Sequence, residues 1–139
     1  MSAKNFLDTN ILIYAWNHQV PEKQRVAGDL LKEGRAMISW QVIQEFCNVA
    51  LIKFEPAMPV SDLEHYVVGY LEPLCAVCPT RALWSRALGL HTRTQYGYYD
   101  ALIVAAALTS GSGILYSEDL QHGRNIQGME IRNPFLVSA

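Results

Sequence analysis

Residues 5–15 read Asn-Phe-Leu-Asp-Thr-Asn-Ile-Leu-Ile-Tyr-Ala, in which a short apolar run leads into a carboxylate and then into a second apolar run. The first run has the length of a buried strand, and the Asp-Thr-Asn triplet supplies three good helix-capping side chains in a row. The stretch therefore predicts a strand followed at once by a helix. Asp8 would stand at the carboxyl end of the strand, where parallel sheets bind ligands, so it is either a helix cap or part of a site.

The same alternation of strand-length and helix-length segments continues along the chain. This order is typical of an α/β fold with a largely parallel sheet. The predicted strands cover residues 5–8, 36–39, 74–77, 113–117 and 129–131. The predicted helices cover residues 11–16, 22–33, 40–54, 61–71, 81–92 and 99–109. A capping box formed by Ser61 and Glu64 is expected to open the fourth of these helices.

Length and composition favour one domain. A chain of 139 residues, 50% of them hydrophobic, can bury one substantial core but is short for two, so we expect a single domain over residues 1–139. The longest apolar stretch, 101–108, is far shorter than the roughly 20 residues that cross a bilayer, and no leader pattern precedes Asn5. We therefore expect a cytoplasmic protein without a membrane partner. Its net charge of −2 does not by itself indicate a nucleic-acid partner.

Four acidic residues lie where a carboxylate would follow a strand or border the core. Asp8 and Asp119 follow the first and the fourth predicted strands. Glu45 lies at the rim of the apolar face of its predicted helix, and Asp100 shares a face with apolar residues of the last one. Taken singly, each has an ordinary explanation as a helix cap, a solvated helix residue, a dipole-compensating charge or a turn residue. As a set in one small α/β domain, they indicate a common site.

Carboxylates that lie close together favour a particular chemistry. They cannot all remain ionised without a counter-charge, because like charges raise one another's pKa. Mg²⁺ supplies such a charge, since it prefers oxygen ligands and binds through a few carboxylates together with a substrate phosphate. The pattern therefore indicates metal-assisted hydrolysis of a phosphodiester. In the metal-free fold, we expect the pKa of at least one of these carboxylates to be raised.

Four sequence segments resemble the PIN-domain family, in particular the VapC-type toxins. In chain order they are LDTNIL at 7–12, QEF at 44–46, YDALI at 99–103 and SEDLQHG at 117–123. A single one of these segments would not suffice, because an Asp-Thr-Asn after a strand is common. The four in this order and at these spacings are specific, and they span nearly the whole chain.

The resemblance implies a PIN-like three-layer α/β/α sandwich with a five-stranded parallel sheet. It also implies a Mg²⁺-dependent endoribonuclease, with Mn²⁺ as a possible substitute, that forms a homodimer and is covered by a cognate antitoxin. The implied catalytic and metal-binding residues are four carboxylates, namely Asp8, Glu45, Asp100 and Asp119. The implied supporting polar residues are Thr9, Asn10 and Ser117.

Residues outside these segments receive simpler interpretations. Glu118 is expected to face solvent. Arg93 is a candidate for binding the RNA substrate at the mouth of the site, where a cation could hold a phosphate. Trp16, Trp40 and Trp84 are interpreted as packing residues.

The Cys75-Ala76-Val77-Cys78 motif has the spacing of a zinc or redox pair, yet it lies in a predicted strand. Residues three apart in a strand point to opposite faces, so both cysteines are interpreted as buried thiols.

The sequence also bears on three other functions. A haloacid-dehalogenase-like phosphatase would need a second aspartate where Asn10 stands, and a signalling receiver would need an aspartate at the end of the third strand. Both are disfavoured. A PIN-like domain that acts in RNA processing, or as a catalytically silent binding module, stays open as the alternative.

Overall fold

A six-stranded sheet forms the centre of the computed structural model, which describes residues 4–136. The strands are β1 Asn5–Leu7, β2 Ala36–Ser39, β3 Cys75–Val77, β4 Ile114–Tyr116, β5 Asn125–Ile126 and β6 Met129–Arg132. Their order is β3-β2-β1-β4-β6-β5. Five strands are parallel, and the two-residue β5 pairs antiparallel with β6 at the edge. The predicted five-stranded parallel sheet is confirmed, whereas β5 was not predicted because two residues carry no readable periodicity.

Helices connect the parallel strands. They are α1 Thr9–Tyr14, α2 Pro21–Lys32, α3 Trp40–Ile52, α4 Val60–Tyr66, α5 Arg81–Thr94 and α6 Tyr98–Thr109. Crossovers between parallel strands are right-handed, so α1 to α4, which lead from β1 through β2 to β3, cover one face of the sheet. The chain then returns from β3 to β4 through α5 and α6, which cover the other face. This is the three-layer arrangement that the family resemblance implied. No helix within residues 4–136 is long and apolar enough to cross a membrane.

The capping box predicted at Ser61 and Glu64 is wrong. α4 begins at Val60, and the residue before it, Pro59, has the extended backbone of a helix cap but no capping side chain. Its carbonyl accepts the first helical hydrogen bond from the Leu63 N–H at 3.0 Å. Ser61 therefore lies inside the first turn. The same helix is also longer and less regular than predicted, because it continues through a π-helical turn over Val67–Leu71 and a 3₁₀ turn over Glu72–Leu74.

The core lies between β1, β4 and the helices on either face. Phe6, Leu7 and Leu115 are completely buried. On α6, every residue from 101 to 107 is buried, which its alanine-rich composition permits because small side chains allow neighbouring elements to approach closely. This burial fixes the start of α6, and with it Asp100, relative to the sheet.

The tryptophans and the Cys75–Cys78 pair differ in how well they match their predicted roles. Trp40 packs against the core and Trp16 packs edge-on against Tyr66 while remaining 40% exposed, whereas Trp84 is 47% exposed. The buried-thiol interpretation is wrong. Cys75 is only partly buried and Cys78 is exposed, because β3 ends at Val77 and Cys78 leaves the strand. Cys78 therefore does not point to the opposite face of β3. Burial is the main cause that raises the pKa of Cys75, and the neighbouring Cys78 adds to it. Both thiols are free.

Candidate active site

The candidate site forms where the strand order of the sheet reverses. β2 and β4 flank β1 and are reached by crossovers on opposite faces, and parallel sheets bind ligands at the carboxyl ends of strands at such a point. Asp8 follows β1, and its N–H donates to the carbonyl of Tyr116 on β4 at 3.0 Å. Ser117, which follows β4, donates its hydroxyl to Oδ2 of Asp8 at 2.7 Å. The two strand ends therefore share one hydrogen-bonded unit.

Asp8 is both a helix cap and a site residue. Its Oδ1 accepts the backbone N–H of Thr9 at 2.7 Å at the start of α1. The side chain is buried, with the residue only 7% exposed. Burial is the main cause that raises the pKa of Asp8 to about 6; the neighbouring charges of Glu45 and Asp119 add smaller contributions, and hydrogen bonds from Ser117 and Thr9 act in the opposite direction. The expected raised pKa is thus present, but desolvation contributes more to it than like-charge repulsion.

Glu45 reaches the site from α3. The hydroxyl of Thr9 donates to Oε1 of Glu45 at 2.7 Å, which joins α1 to α3. Thr9 therefore donates to Asp8 through its backbone N–H and to Glu45 through its side-chain hydroxyl. Glu45 itself is exposed at the rim of its helix.

Asp119 is held by the amide of Asn10. The Asn10 Nδ2 donates to Oδ2 of Asp119 at 3.0 Å, and its Oδ1 accepts the backbone N–H of Glu118 at 3.2 Å. The backbone N–H of Asp119 also donates to the hydroxyl of Ser117 at 3.2 Å. Asn10 thus fixes the turn after β4 against α1 with both ends of its amide.

Glu118 was expected to face solvent, and this expectation is wrong. The Tyr14 hydroxyl donates to Oε1 of Glu118 at 2.6 Å, and Lys23 forms an ion pair with its other oxygen. Burial acts to raise the pKa of Glu118, but the hydrogen bonds from Lys23 and Tyr14 lower it further than burial raises it. Tyr14 lies one helical turn after Asn10, so α1 holds the turn after β4 at two points. Only the fold reveals this contact, since Glu118 is far from both partners in sequence.

Asp100 occupies the first turn of α6. Its helix is buried, but Asp100 itself is exposed, because the start of α6 opens into a cavity instead of the core. Partial burial raises its pKa, and the charge of Asp119 raises it further. No hydrogen-bond donor within residues 4–136 contacts its carboxylate.

All four predicted carboxylates line one cavity of about 220 Å³. We call it the acidic cavity. The lining combines these acids with polar and apolar neighbours, namely Asp8, Thr9, Asn10, Ile13, Gln41, Glu45, Val49, Tyr99, Asp100, Ile103 and Asp119. Lys, Arg and His are absent from this lining within the described part of the chain. The cavity therefore carries only negative formal charge.

Gln41 is a residue of the cavity that the sequence interpretation missed. Its Nε2 donates to the backbone carbonyl of Tyr99 at 3.3 Å, whereas no group among residues 4–136 forms a hydrogen bond with its buried side-chain Oε1. Gln41 lies four residues before Glu45 in α3, so the two share a helix face, and this spacing was the signal that could have identified it.

Arg93 is not brought to the acidic cavity. It lies exposed in the last turn of α5, where its Nε donates to the carbonyl of Gly89 at 3.4 Å. Ser117 does not line the cavity either, but it contacts Asp8 directly.

The donor set fits a hard divalent cation. Oxygen is the atom type that Mg²⁺ prefers, and the unpartnered Gln41 oxygen adds an uncharged donor to the four carboxylates. When Asp8 is ionised, no cationic side chain among residues 4–136 balances its buried charge. As the side chains stand, no three His, Cys, Asp or Glu residues among 4–136 surround one point closely enough to ligate an ion. The oxygens of Asp8, Glu45 and Asp119 instead accept hydrogen bonds from Thr9, Asn10 and Ser117.

Comparison with known proteins identifies the family. The PIN domain family model matches residues 6–125, so the chain belongs to the PIN domain family, whose members are generally nucleases. No curated protein sequence is significantly similar to the chain.

Solved structures of similar fold include a toxin–antitoxin complex. A toxin–antitoxin complex from Klebsiella pneumoniae gives a TM-score of 0.69 at 19% identity, covering 96% of this chain and 100% of that chain. VapBC2 from Rickettsia felis, bound to a promoter DNA fragment, gives 0.63 at 19% identity, covering 93% and 97%. FitAcB from Neisseria gonorrhoeae gives 0.64 at 17% identity, covering 96% and 99%. At these identities the likeness shows the fold alone.

Proposed function

We propose that the protein is a Mg²⁺-dependent endoribonuclease that acts in the cytoplasm as the toxin of a toxin–antitoxin pair, with Mn²⁺ as a substitute cation. The observation that carries the proposal is that Asp8, Glu45, Asp100 and Asp119 line one cavity at the point where the strand order reverses. Membership of a family of nucleases supports hydrolysis of a nucleic acid, and the resemblance of the four sequence segments to VapC-type toxins supports RNA as the target.

In such a site, the carboxylates would hold the cation, and neighbouring polar residues orient the carboxylates. When bound, a divalent cation polarises the phosphate and neutralises the charge that develops during cleavage. Asp8 provides a rigid carboxylate, because hydrogen bonds from Thr9 and Ser117 fix both of its oxygens. Thr9 orients Glu45 through its hydroxyl, and Asn10 orients Asp119 through its amide.

Asp100 and Gln41 complete the proposed donor set. Asp100 brings a carboxylate that no donor within residues 4–136 engages, so its oxygens are free to turn toward a cation. The side-chain oxygen Oε1 of Gln41 is buried and has no hydrogen-bond partner among residues 4–136. A cation or a water molecule in the cavity would provide one. These residues therefore offer oxygen atoms that the fold alone leaves unused.

The proposal includes an antitoxin and a homodimer. One neighbour in fold, from Klebsiella pneumoniae, is described as a toxin–antitoxin complex, which supports a protein partner here. Trp84 and Leu88 are 47% and 56% exposed and lie one turn apart on α5, where they form an apolar surface suited to a protein interface.

Cleavage of RNA by purified protein tests the proposal. The wild type should cut single-stranded or loop RNA with Mg²⁺ or Mn²⁺, and EDTA should abolish cutting. Asp8→Ala and Asp100→Ala should each lose activity, whereas Glu22→Ala, which removes an exposed carboxylate on α2, should keep it. Wild-type rates in both Asp variants would refute the site. Intact RNA under all conditions would favour the alternative of a catalytically silent PIN-like module.

A further inference from the structure

A second and larger cavity, of about 730 Å³, adjoins the acidic cavity. We call it the flanking groove. Ile13 and Val49 line both spaces, so the two adjoin along α1 and α3. The turn after α1 forms one wall of the groove, and the end of α3 with the loop after it forms the other. The proposed hydrolysis uses only the acidic cavity and leaves the flanking groove without a role.

The α1 wall carries an aromatic ring into the groove. Thr9, Ile13 and Trp16 follow one another at spacings of four and three, so they lie on one helical face that runs from the acidic cavity to the flanking groove. The helical turn extends to Trp16, because the backbone N–H of Trp16 donates to the backbone carbonyl of Ile13 at 3.0 Å. The Trp16 ring is held edge-on against Tyr66 at 5.1 Å between centroids and yet remains 40% exposed. Tyr66 is itself stacked on Tyr70, so Trp16 is a pre-oriented ring with an accessible surface.

The α3 wall carries a cation into the groove. Glu45, Val49 and Lys53 follow one another at spacings of four, so this wall also runs from a carboxylate of the acidic cavity to a groove residue. Lys53 is exposed at the end of α3, and within residues 4–136 no carboxylate lies at ion-pairing distance from it. Two acids, Glu55 and Asp62, also line the groove, and Lys53 offsets one of these negative charges. The groove is therefore far less negative than the acidic cavity, which is lined by four carboxylates.

We propose that the flanking groove is a nucleotide subsite for single-stranded RNA, in which a base next to the cleaved bond stacks on Trp16 and a phosphate pairs with Lys53. This inference rests on the proposed ribonuclease function. A polymer with one phosphate at the acidic cavity must extend into an adjoining space, and the flanking groove is such a space. Proteins bind single strands through aromatic stacking combined with cationic contacts to the backbone, which are the two features that the walls supply. Stacking requires an unpaired base, so a duplex would not use Trp16.

RNA affinity measured without hydrolysis tests the subsite. The Asp100→Asn variant serves as the parent, a labelled single-stranded RNA oligonucleotide as the probe, and fluorescence anisotropy at several salt concentrations as the readout. Adding Trp16→Ala should weaken binding on the order of tenfold, and Trp16→Phe should restore most of the affinity because a ring remains. Adding Lys53→Gln should make the slope of log K against log salt shallower by about 0.7. Lys32→Gln, which removes an exposed cation on α2, is the matched control for Lys53→Gln and should change neither quantity.

The outcomes separate the subsite from the ribonuclease proposal. If the variants in Trp16 and Lys53 bind RNA as the parent does, the subsite is refuted, and the groove is then a better candidate for a segment of a partner protein. An absence of RNA binding by the parent refutes it as well. If the wild type does not cut RNA but the binding pattern holds, the ribonuclease proposal fails while the subsite stands. If the wild type cuts RNA and both groove variants cut and bind equally well, the subsite fails while the ribonuclease proposal stands.

Discussion

Replacing Asp8 by asparagine should stabilise the metal-free protein at neutral pH, although Asp8 lies at the centre of the candidate site. Burial raises the pKa of Asp8 from 3.8 to about 6, with smaller contributions from Glu45 and Asp119. The ionised carboxylate is therefore less stable in the folded state than in the unfolded chain. Asparagine has the same shape and no charge. Like a neutral carboxyl group, it can accept from the Thr9 N–H and donate to the Ser117 hydroxyl.

The size and sign of the effect follow from linkage. Because the folded pKa lies above the unfolded value, the stability contributed by Asp8 is fully present below pH 3.8 and is lost as the pH rises through 6. A shift of about two units corresponds to about 3 kcal/mol, and a buried group needs little discount for solvent screening. At pH 7.5 in EDTA, Asp8→Asn should thus be about 3 kcal/mol more stable than the wild type, or ~10 °C higher in Tm for a domain of this size. At pH 4.5 only about 1 kcal/mol should remain.

Thermal and denaturant melts of both proteins in EDTA, repeated across this pH range, measure the difference. Mg²⁺ at a hundredfold excess over its Kd should then stabilise the wild type by about 2.7 kcal/mol and the variant by much less. A stability difference that does not change with pH would show that the fold does not raise the pKa of Asp8. So would an Asp8→Asn variant that melts below the wild type at pH 7.5 in EDTA.

Asp100→Asn should also raise the metal-free Tm at pH 7.5, by less than Asp8→Asn because Asp100 is exposed, and should reduce the stabilisation by Mg²⁺; an undiminished response in melts would count against a metal-binding role. The double variant Cys75→Ser, Cys78→Ser should keep the wild-type rate of RNA cleavage and the wild-type metal content. Stoichiometric zinc that disappears with the two thiols would overturn that prediction. Glu118→Gln should weaken Mg²⁺ binding on the order of fivefold in calorimetry, because the turn after β4 loses an ionic anchor, whereas Glu130→Gln, which breaks a surface ion pair, should not. Equal Kd values for these two variants would show that the anchor has no effect on the site.

The part of the fold that could be predicted is the part encoded locally. A short apolar run that ends at Asp8 is readable as a strand because its neighbours in sequence determine it. The same holds for α6, which contains the continuous apolar segment 101–108. This helix ends at Thr109 both in the prediction and in the structure. β5 and the start of α4 were missed or misplaced, since two-residue pairing and the backbone of Pro59 depend on surroundings that periodicity does not report.

The candidate site divides in the same way. The four carboxylates were found because strand ends and helix faces can be read from spacing, and the structure places all four around one cavity. The contacts that hold the surrounding residues in place could not be predicted. The contact of Glu118 with Tyr14 and Lys23 spans about a hundred residues, so only the tertiary fold brings these groups together. The unpartnered oxygen of Gln41 depends on packing around a single side chain, which no sequence pattern shows.

The proposed site requires Asp8, Glu45, Asp100 and Asp119 to act together in binding a divalent cation. Titration of the full chain with Mn²⁺ in a calorimeter tests it most directly, using the wild type, the four single neutral variants (Asn for Asp, Gln for Glu) and Glu22→Gln as a control. The wild type and Glu22→Gln should bind with the same Kd, and each of the four variants should bind roughly tenfold more weakly or worse. Wild-type affinity in the Asp8 and Asp119 variants, with both proteins folded by thermal melt, would contradict the claim.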